Sequence, residues 1–192
     1  MLLLILLSPR RGRPGRAAGA VLRRACRLVP AALLSMALLA LTGRGDGGAL
    51  TARAGAASVS LAPADFAAQM VDLINAERER AGLPDLAWTS DVNRVAIDRA
   101  LDMASLGYFD HFNPSGIGAE DLLRAYGVPH AILGENIARS TYPAAQVVRN
   151  VHEAFMASPE HRSNVLERRF HRLGIGAALI DRTYYFAIVF VD

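Results

Sequence analysis

Apolar side chains recur at helical spacing in the first part of the region that begins near residue 63. One stripe predicts a helix over residues 63–81, which the Gly82-Leu83-Pro84 stretch ends. A second predicts a helix over residues 90–106, with Ser90 as a favourable N-cap and Gly107 after its end. The inward-facing positions of the two helices are Phe66, Met70, Leu73, Ile74, Val92, Val95, Ala96, Ala100 and Met103.

Further along the chain, the pattern indicates two more helices and an extended segment. A short helix is predicted over residues 118–126 and a longer one over residues 142–158. Between them, residues 132–138 fit either a strand or an extended loop.

The C-terminal region changes from helical to strand-like periodicity. Residues 172–180 and 183–191 are separated only by Asp181-Arg182, which predicts an antiparallel hairpin with a short turn. Gly174 and Gly176 indicate a close backbone approach or a bulge. Helices first and a hairpin last exclude a doubly wound parallel sheet, and they favour an α+β fold whose antiparallel sheet is covered by helices.

Some side chains outside these stripes can also be assigned. Trp88, in the apolar stretch between the first two helices, is expected to anchor that connection in the core. Three histidines fit no motif and are expected at the surface: His130, His152 and His171.

Charge divides the 192-residue chain into two parts. Residues 1–56 hold nine arginines and one acid, whereas residues 57–192 hold twelve arginines and seventeen acids. The domain is therefore mildly acidic, which gives no support to a nucleic-acid partner. The only cysteine, Cys26, lies in the first part, so residues 57–192 contain neither a disulfide nor a cysteine-based metal site.

The basic part has the features of an export signal. Residues 9–27 are rich in arginine, and residues 28–41 are apolar, a length typical of a signal peptide and short of the roughly 20 residues that span a bilayer. We therefore divide the chain into a signal peptide and linker, 1–56, and a secreted domain, 57–192. Cleavage is expected between Thr42 and Ala57, and the alternative is an uncleaved leader that anchors the protein in the membrane.

Three distant segments carry candidate site residues beside turn-forming or small residues. His111 begins a His-Phe-Asn-Pro-Ser-Gly loop, Glu135 and Asn136 lie in Gly-Glu-Asn-Ile-Ala, and Ser158 and His161 lie in Ser-Pro-Glu-His-Arg-Ser-Asn. Two histidines on either side of a glutamate suggest one polar site assembled from all three segments. The alternative is that each polar side chain braces its own loop.

Together these motifs resemble the bacterial branch of the CAP superfamily, the SCP/PR-1-like extracellular domains. The resemblance covers about residues 66–190 and also includes Asn75 with Arg78 and Gly174-Ile175-Gly176. It implies an α-β-α sandwich with a small antiparallel sheet flanked by helices, and a central cavity lined by two histidines and acidic residues. In some members the histidines hold a divalent metal ion, so His111 and His161 are candidate ligands, with zinc a suitable ion.

One acidic residue of the eukaryotic pattern is missing. Many eukaryotic members carry a second glutamate three residues after a tryptophan on the fourth helix; here Phe155 replaces the tryptophan and Ser158 the glutamate. Glu153 cannot substitute, because it points about 160° from the middle of the apolar face of that helix. Glu160, just before His161, is the other candidate for an acidic contribution.

The resemblance leaves three functional classes open. The favoured one is a secreted, non-enzymatic binding protein whose cleft takes a lipid, a cell-wall component or another extracellular small molecule. The second is a metal-dependent hydrolase, similar to a peptidase, that uses the two histidines and the glutamate; no HExxH helix occurs to support it. The third is a structural envelope protein.

Overall fold

The computed structural model describes the backbone of residues 3–7 and all of residues 58–192. The predicted apolar segment of the signal peptide and the expected cleavage region lie outside these residues. Within the described part of the chain, no helix combines the length and the apolarity needed to cross a membrane.

Five helices are present in the described residues, and four of them are those that the sequence predicts. They are α1 (Asp65–Arg80), α2 (Ser90–Leu106), α3 (Ala119–Ala125), α4 (Ala144–Ala157) and α5 (Pro159–Val165). Helix α2 ends at Gly107, which takes the left-handed conformation that glycine adopts at low cost. Helix α5 was not predicted; it has two turns and begins with a proline at its first position.

One sheet lies between the helices and is antiparallel except for one short strand. Its strands are β1 (Leu3–Leu7), β2 (Ser60–Leu61), β3 (Ala87–Trp88), β4 (Leu133–Ser140), β5 (Arg172–Ile180) and β6 (Thr183–Val191). The order is β1-β4-β6-β5-β2, and β3 pairs in parallel with β5. Strand β1 lies in the segment assigned to the leader and pairs with β4 from Asn136 to Ser140.

The predicted hairpin is confirmed with its predicted turn. Strands β5 and β6 pair from Arg172 opposite Val191 to Ile180 opposite Thr183. Asp181 and Arg182 form the connection, with φ angles of 45° and 62°. Positive φ at both turn residues matches the right-handed twist of the two strands, so the turn itself fixes the register.

Helix α2 packs on one face of the sheet at very short range. A Cβ atom on Gly176 would lie 1.9 Å from the carbonyl oxygen of Ala96, and one on Gly174 would lie 2.3 Å from that of Val92. The two glycines face backbone atoms, which cannot move aside as a side chain can. The predicted close backbone approach at these glycines is therefore confirmed, and only glycine fits.

The opposite face carries the larger part of the core. Aromatic side chains from α1, α4 and β6 meet there, and Phe66 stacks on Phe186 with ring centroids 6.3 Å apart. Phe155 of α4 is 1% exposed and belongs to the same cluster. Glu153 is exposed, as the helical geometry predicts.

Two predictions about burial were wrong. Trp88 is 45% exposed, because β3 lies at the edge of the sheet and the indole N–H donates outward to Asn93. Leu86 is the buried residue of that stretch, and Asn75 holds its backbone N–H and C=O. His152 is buried on α4, next to the apolar positions Val148, Val151 and Phe155, instead of lying at the surface.

Arg78 ties α1 to the region after α5. Its buried guanidinium donates hydrogen bonds to the carbonyl oxygens of four residues: Pro84, Val165, Glu167 and Phe170. Burial lowers the pKa of Arg78, and the nearby carboxylates of Asp85 and Glu167 oppose this. One side chain thereby satisfies backbone acceptors in two irregular segments.

Phe155 and Trp88 give a direct test of where the core lies. Phe155→Ala should lower the free energy of unfolding by about 3–5 kcal/mol, because it leaves a cavity in a closely packed cluster. Trp88→Ala should cost about 1 kcal/mol or less, since its side chain is largely solvated. Chemical denaturation of both variants compares the two sites, and equal losses would contradict this assignment of the core.

His152 should make stability depend on pH. Burial lowers its pKa in the folded protein, so the unfolded chain takes up a proton more readily below about pH 6.5. The contribution is therefore fully present above that pH and is lost as the pH falls toward the lowered pKa, with a slope of at most about 1.4 kcal/mol per pH unit.

Denaturation midpoints between pH 5 and pH 8 measure this slope. His152→Gln should flatten it, whereas substitution of the exposed His171 by Gln should leave it unchanged. An unchanged slope in His152→Gln would show that other groups cause the acid sensitivity.

Candidate functional site

The centre of the candidate site is a carboxylate with both oxygens occupied. Glu135 lies on β4, and its side chain is 3% exposed. One oxygen accepts a hydrogen bond from Arg99 Nε at 3.0 Å, and the other lies 2.6 Å from His111 Nδ1. A glutamate, an arginine and a histidine from three separate segments therefore form one buried cluster.

Arg99 is the residue of this cluster that the sequence analysis missed. It is 1% exposed, in the middle of the face of α2 that packs on the sheet. The signal was present in the sequence, because position 99 lies one helical turn after Val95 and Ala96 and one before Met103. An arginine at such a position requires a buried acceptor, and Glu135 supplies it.

Arg99 also organises the segment that follows α2. Its Nη1 donates to the hydroxyl of Tyr108 at 2.6 Å, and its Nη2 donates to the carbonyl of Asp110 at 2.8 Å. The Tyr108 hydroxyl in turn donates to Asp102 at 2.7 Å. Every donor group of the buried guanidinium thus meets an acceptor from β4 or from the segment after α2.

The protonation states in this cluster have clear physical causes. Burial alone would lower the pKa of Arg99, but the charge of Glu135 and the hydrogen bonds outweigh it, and the pKa is raised. The pKa of Tyr108 is also raised, first by burial and then by the Asp102 carboxylate that accepts its proton. Arg99 therefore stays charged and Tyr108 stays a neutral donor over the physiological range.

The loop that holds His111 is fixed by its own turn chemistry. The side-chain oxygen of Asn113 accepts from the backbone N–H groups of Ser115 and Ile117, both at 2.9 Å. Phe112 and Gly118 form an isolated antiparallel bridge. A Cβ atom on Gly118 would lie 2.9 Å from the His111 carbonyl oxygen, so the bridge can close only around a glycine.

His161 belongs to a second polar group, at the beginning of α5. Its ring stacks on Phe155 with centroids 5.2 Å apart, and its Nδ1 lies 2.7 Å from Ser158 Oγ. Asn136 donates to the His161 carbonyl at 3.1 Å and accepts from Asn164 at 2.8 Å. Asn136, Ser158 and His161 are thus brought together by short-range contacts.

The two groups lie on opposite faces of β4. Glu135 pairs opposite Val189, which packs with α2 and α3, whereas Asn136 pairs opposite Ile188 in the core cluster of α1 and α4. Successive residues of a strand point to opposite faces. The groups are joined where Asn164 donates to the Glu135 carbonyl at 3.4 Å. The structure therefore joins Glu135 to His111, and Ser158 and Asn136 to His161.

All three of the predicted central residues are buried. The exposed fractions are 5% for His111, 2% for Glu135 and 2% for His161. Among the described residues, none of the three lines the groove beside α2 or the pocket formed by Arg139, Ser140, Thr141, Thr183 and Tyr185. A cleft shared by His111, Glu135 and His161 stays a prediction.

His111 has the environment of a metal-binding histidine. Its Nδ1 contacts a carboxylate, and its buried Nε2 has no hydrogen-bond partner among the described residues. A carboxylate on the second nitrogen commonly orients such ligands. However, no group of three or more His, Cys, Asp or Glu side chains in that part of the chain is arranged to hold an ion. Because His111 and His161 belong to groups on opposite faces of β4, a metal site shared by the two imidazoles stays a prediction.

Removing one charge of the buried pair should be costly. Arg99→Met should lower the free energy of unfolding by about 3–5 kcal/mol, because Glu135 would stay buried without its cation. Arg124→Met is the matched control, since Arg124 pairs with Glu120 at 2.6 Å on an exposed helix surface, where the cost should be below about 1 kcal/mol. Denaturant titration of both variants measures the difference, and equal losses would show that the buried pair is not critical.

Comparison with known proteins places this chain in a family. Residues 71–191 match CAP, the cysteine-rich secretory protein family. The uncharacterized protein YkwD of Bacillus subtilis (strain 168) is 33% identical over 108 residues, which cover 56% of this chain and 40% of YkwD. The uncharacterized membrane protein YlbC of the same organism is 32% identical over 117 residues, covering 61% of this chain and 32% of YlbC. The chain therefore spans less than half the length of these relatives.

Solved structures agree with this match. An extracellular protein containing an SCP domain from Bacillus anthracis str. Ames is 31% identical, with a TM-score of 0.56 over 66% of this chain and 40% of that one. An outer surface protein from Borrelia burgdorferi, at 17% identity, shares the fold, with a TM-score of 0.58 over 65% of this chain and 90% of that one. The predicted α-β-α sandwich is confirmed, and the chain belongs to the CAP family of cysteine-rich secretory proteins.

Proposed function

We propose that this CAP chain is an extracytoplasmic, non-enzymatic binding domain for a lipid, a cell-wall component or another small extracellular ligand. The observation that carries the proposal is the burial of Glu135 together with the pairing of both its oxygens. Both of its carboxylate oxygens are committed, one to Arg99 and one to His111, and the side chain is buried. A general base needs a free oxygen that can reach a substrate or a water molecule, and this carboxylate serves as part of the framework.

The same geometry weakens the metal-dependent hydrolase as a rival. A catalytic zinc site has three protein ligands and an open position for water. Glu135 is already bonded through both oxygens, and the described residues contain no group of three ligands. The contact between Ser158 and His161 also has a simpler explanation than nucleophilic chemistry, since both residues belong to the first turn of α5 and its cap.

The site residues of the proposal are His111, Glu135, His161, Ser158 and Asn136. A divalent ion such as zinc would be held by the two histidines, with His111 Nε2 as the better-supported ligand because it is buried without another partner. Such an ion would supply a fixed positive charge for a ligand. Glu135 would hold the His111 ring in place, and protons would compete with the metal as the pH falls.

Export rests on the leader and on the family. An arginine-rich segment precedes an apolar stretch of signal-peptide length in residues 1–56. The similar protein of known structure from Bacillus anthracis is described as extracellular. Cleavage between Thr42 and Ala57 would release the domain, whereas an uncleaved leader would keep it at the membrane. Cleavage would also remove β1.

Expression of the full chain and purification of its exported product, followed by native mass spectrometry and elemental analysis, tests the proposal. N-terminal sequencing should find a start between Thr42 and Ala57. A non-protein ligand should accompany the wild type. Any bound metal should be lost from His111→Ala and His161→Ala and kept in Glu153→Ala, the matched control on an exposed position of α4.

A parallel assay against peptide, ester and glycan substrates separates the alternatives. Turnover that disappears in His111→Ala and persists in Glu153→Ala would replace the binding proposal with the hydrolase. A domain that neither binds a ligand nor turns over a substrate, but remains in the envelope fraction, would favour the structural protein.

A further inference from the structure

A groove of about 330 Å³ lies on the α2 side of the sheet, outside the buried cluster. It is formed by α2, by the loop after His111 and by α3. The residues that line it are Asp98, Arg99, Leu101, Asp102, Ser105, Leu106, Asn113, Ile117 and Leu122. The volume is at the lower end of the range for small-molecule sites.

Exposed apolar side chains form the rim of this groove. Leu106 is 58% exposed and Ile117 is 40% exposed, and they are two of the four large hydrophobic side chains that are exposed in residues 58–192. Isolated exposed aliphatic side chains need no explanation. Leu106 and Ile117 lie beside the same concave surface, and this indicates a binding site.

Two half-buried carboxylates make the groove acidic. Asp98 accepts a hydrogen bond from the Tyr126 hydroxyl on its Oδ2. Asp102 accepts from Tyr108 and Asn113, also on Oδ2. The hydrogen bonds that Asp98 and Asp102 accept in the described part of the chain all fall on Oδ2. Each carboxylate therefore keeps an acceptor for a ligand.

The cations near the groove offset only part of this charge, with Arg94 placed to offset Asp98 through their shared contact with Tyr126. Arg99 lies 3.9 Å from Asp102, but its charge is matched by Glu135 at 3.0 Å. Arg94 lies over the ring of Tyr126, with its guanidinium carbon 4.1 Å from the centroid. The lining itself holds two carboxylates and only one guanidinium, so the groove favours a positively charged ligand.

We propose that this groove binds a cationic amphiphile, a small molecule with an ammonium group on an aliphatic body. The ammonium group would lie near Asp98 and Asp102, and the aliphatic part would cover Leu106, Ile117 and Leu122. The inference rests on the proposed binding function and names its ligand class. Arg99 links the two sites, because it lines the groove and also holds Glu135.

Titration of the purified exported domain with octylammonium, below its micelle concentration, tests the proposal. Calorimetry or NMR should detect saturable binding, and each added methylene should tighten it by up to about fourfold until the groove is filled. Octyl sulfate, with the same chain and the opposite charge, should bind far more weakly. Added salt should weaken the ammonium complex, because its charges are partly exposed.

Matched variants distinguish binding in the groove from nonspecific binding elsewhere on the surface. Leu106→Ser should weaken binding by about fivefold, because it removes apolar contact area. Leu61→Ser, at a leucine with a similar exposure of 55% on β2, should have no effect. Asp98→Asn should weaken the ammonium complex by up to about fivefold, while Asp72→Asn, on an exposed position of α1, should not.

Each contrary result has a defined meaning. Equal affinity for the ammonium and the sulfate would contradict the proposal that this groove binds a cationic amphiphile. An equal effect of Leu61→Ser and Leu106→Ser would contradict it as well. If a natural ligand accompanies the exported protein but is not displaced by octylammonium, the binding function stands and this inference fails. If the protein proves to be a hydrolase, the proposed function fails, and the ammonium titration still decides whether the groove binds.

Discussion

The buried charge of Arg99 is the constraint on which the arrangement around the candidate site depends. An unpaired guanidinium in a protein interior is prohibitively costly, so its donors must all find acceptors. Those acceptors come from β4, through Glu135, and from the segment after α2, through Tyr108 and Asp110. One side chain thus fixes how the helix, the strand and the loop meet, and the position of His111 follows from it.

Buried arginines and hydrogen bonds take a role here that disulfides have in many small secreted domains. Residues 57–192 contain no cysteine. Arg78 instead holds four backbone carbonyls in the segments after α1 and after α5. Gly174 and Gly176 let α2 reach the backbone of β5, so that the helix contacts the sheet without intervening side chains. Polar hydrogen bonds and close packing together stabilise the domain that carries the candidate site.

Sequence periodicity predicted most of the fold because the responsible signals are local. The α2 stripe and the hairpin with its Asp181-Arg182 turn were correct to within a residue. The errors came from tertiary context. Trp88 looked like a core residue, but β3 is an edge strand whose apolar side chain faces solvent. Helix α5 was missed because two turns are too short for a periodic pattern to be visible.

Tertiary context limited the prediction of the candidate site even more than the prediction of the fold. Motifs identified His111, Glu135 and His161, but they could not show that Glu135 and Asn136 point to opposite faces of one strand. The motifs also could not identify the role of Arg99, because that role depends on a partner 36 positions along the chain. Because Arg99 contacts both Glu135 and the groove beside α2, a change on either side alters the charge that the other side experiences. The buried cluster and the surface groove are therefore electrostatically coupled through Arg99.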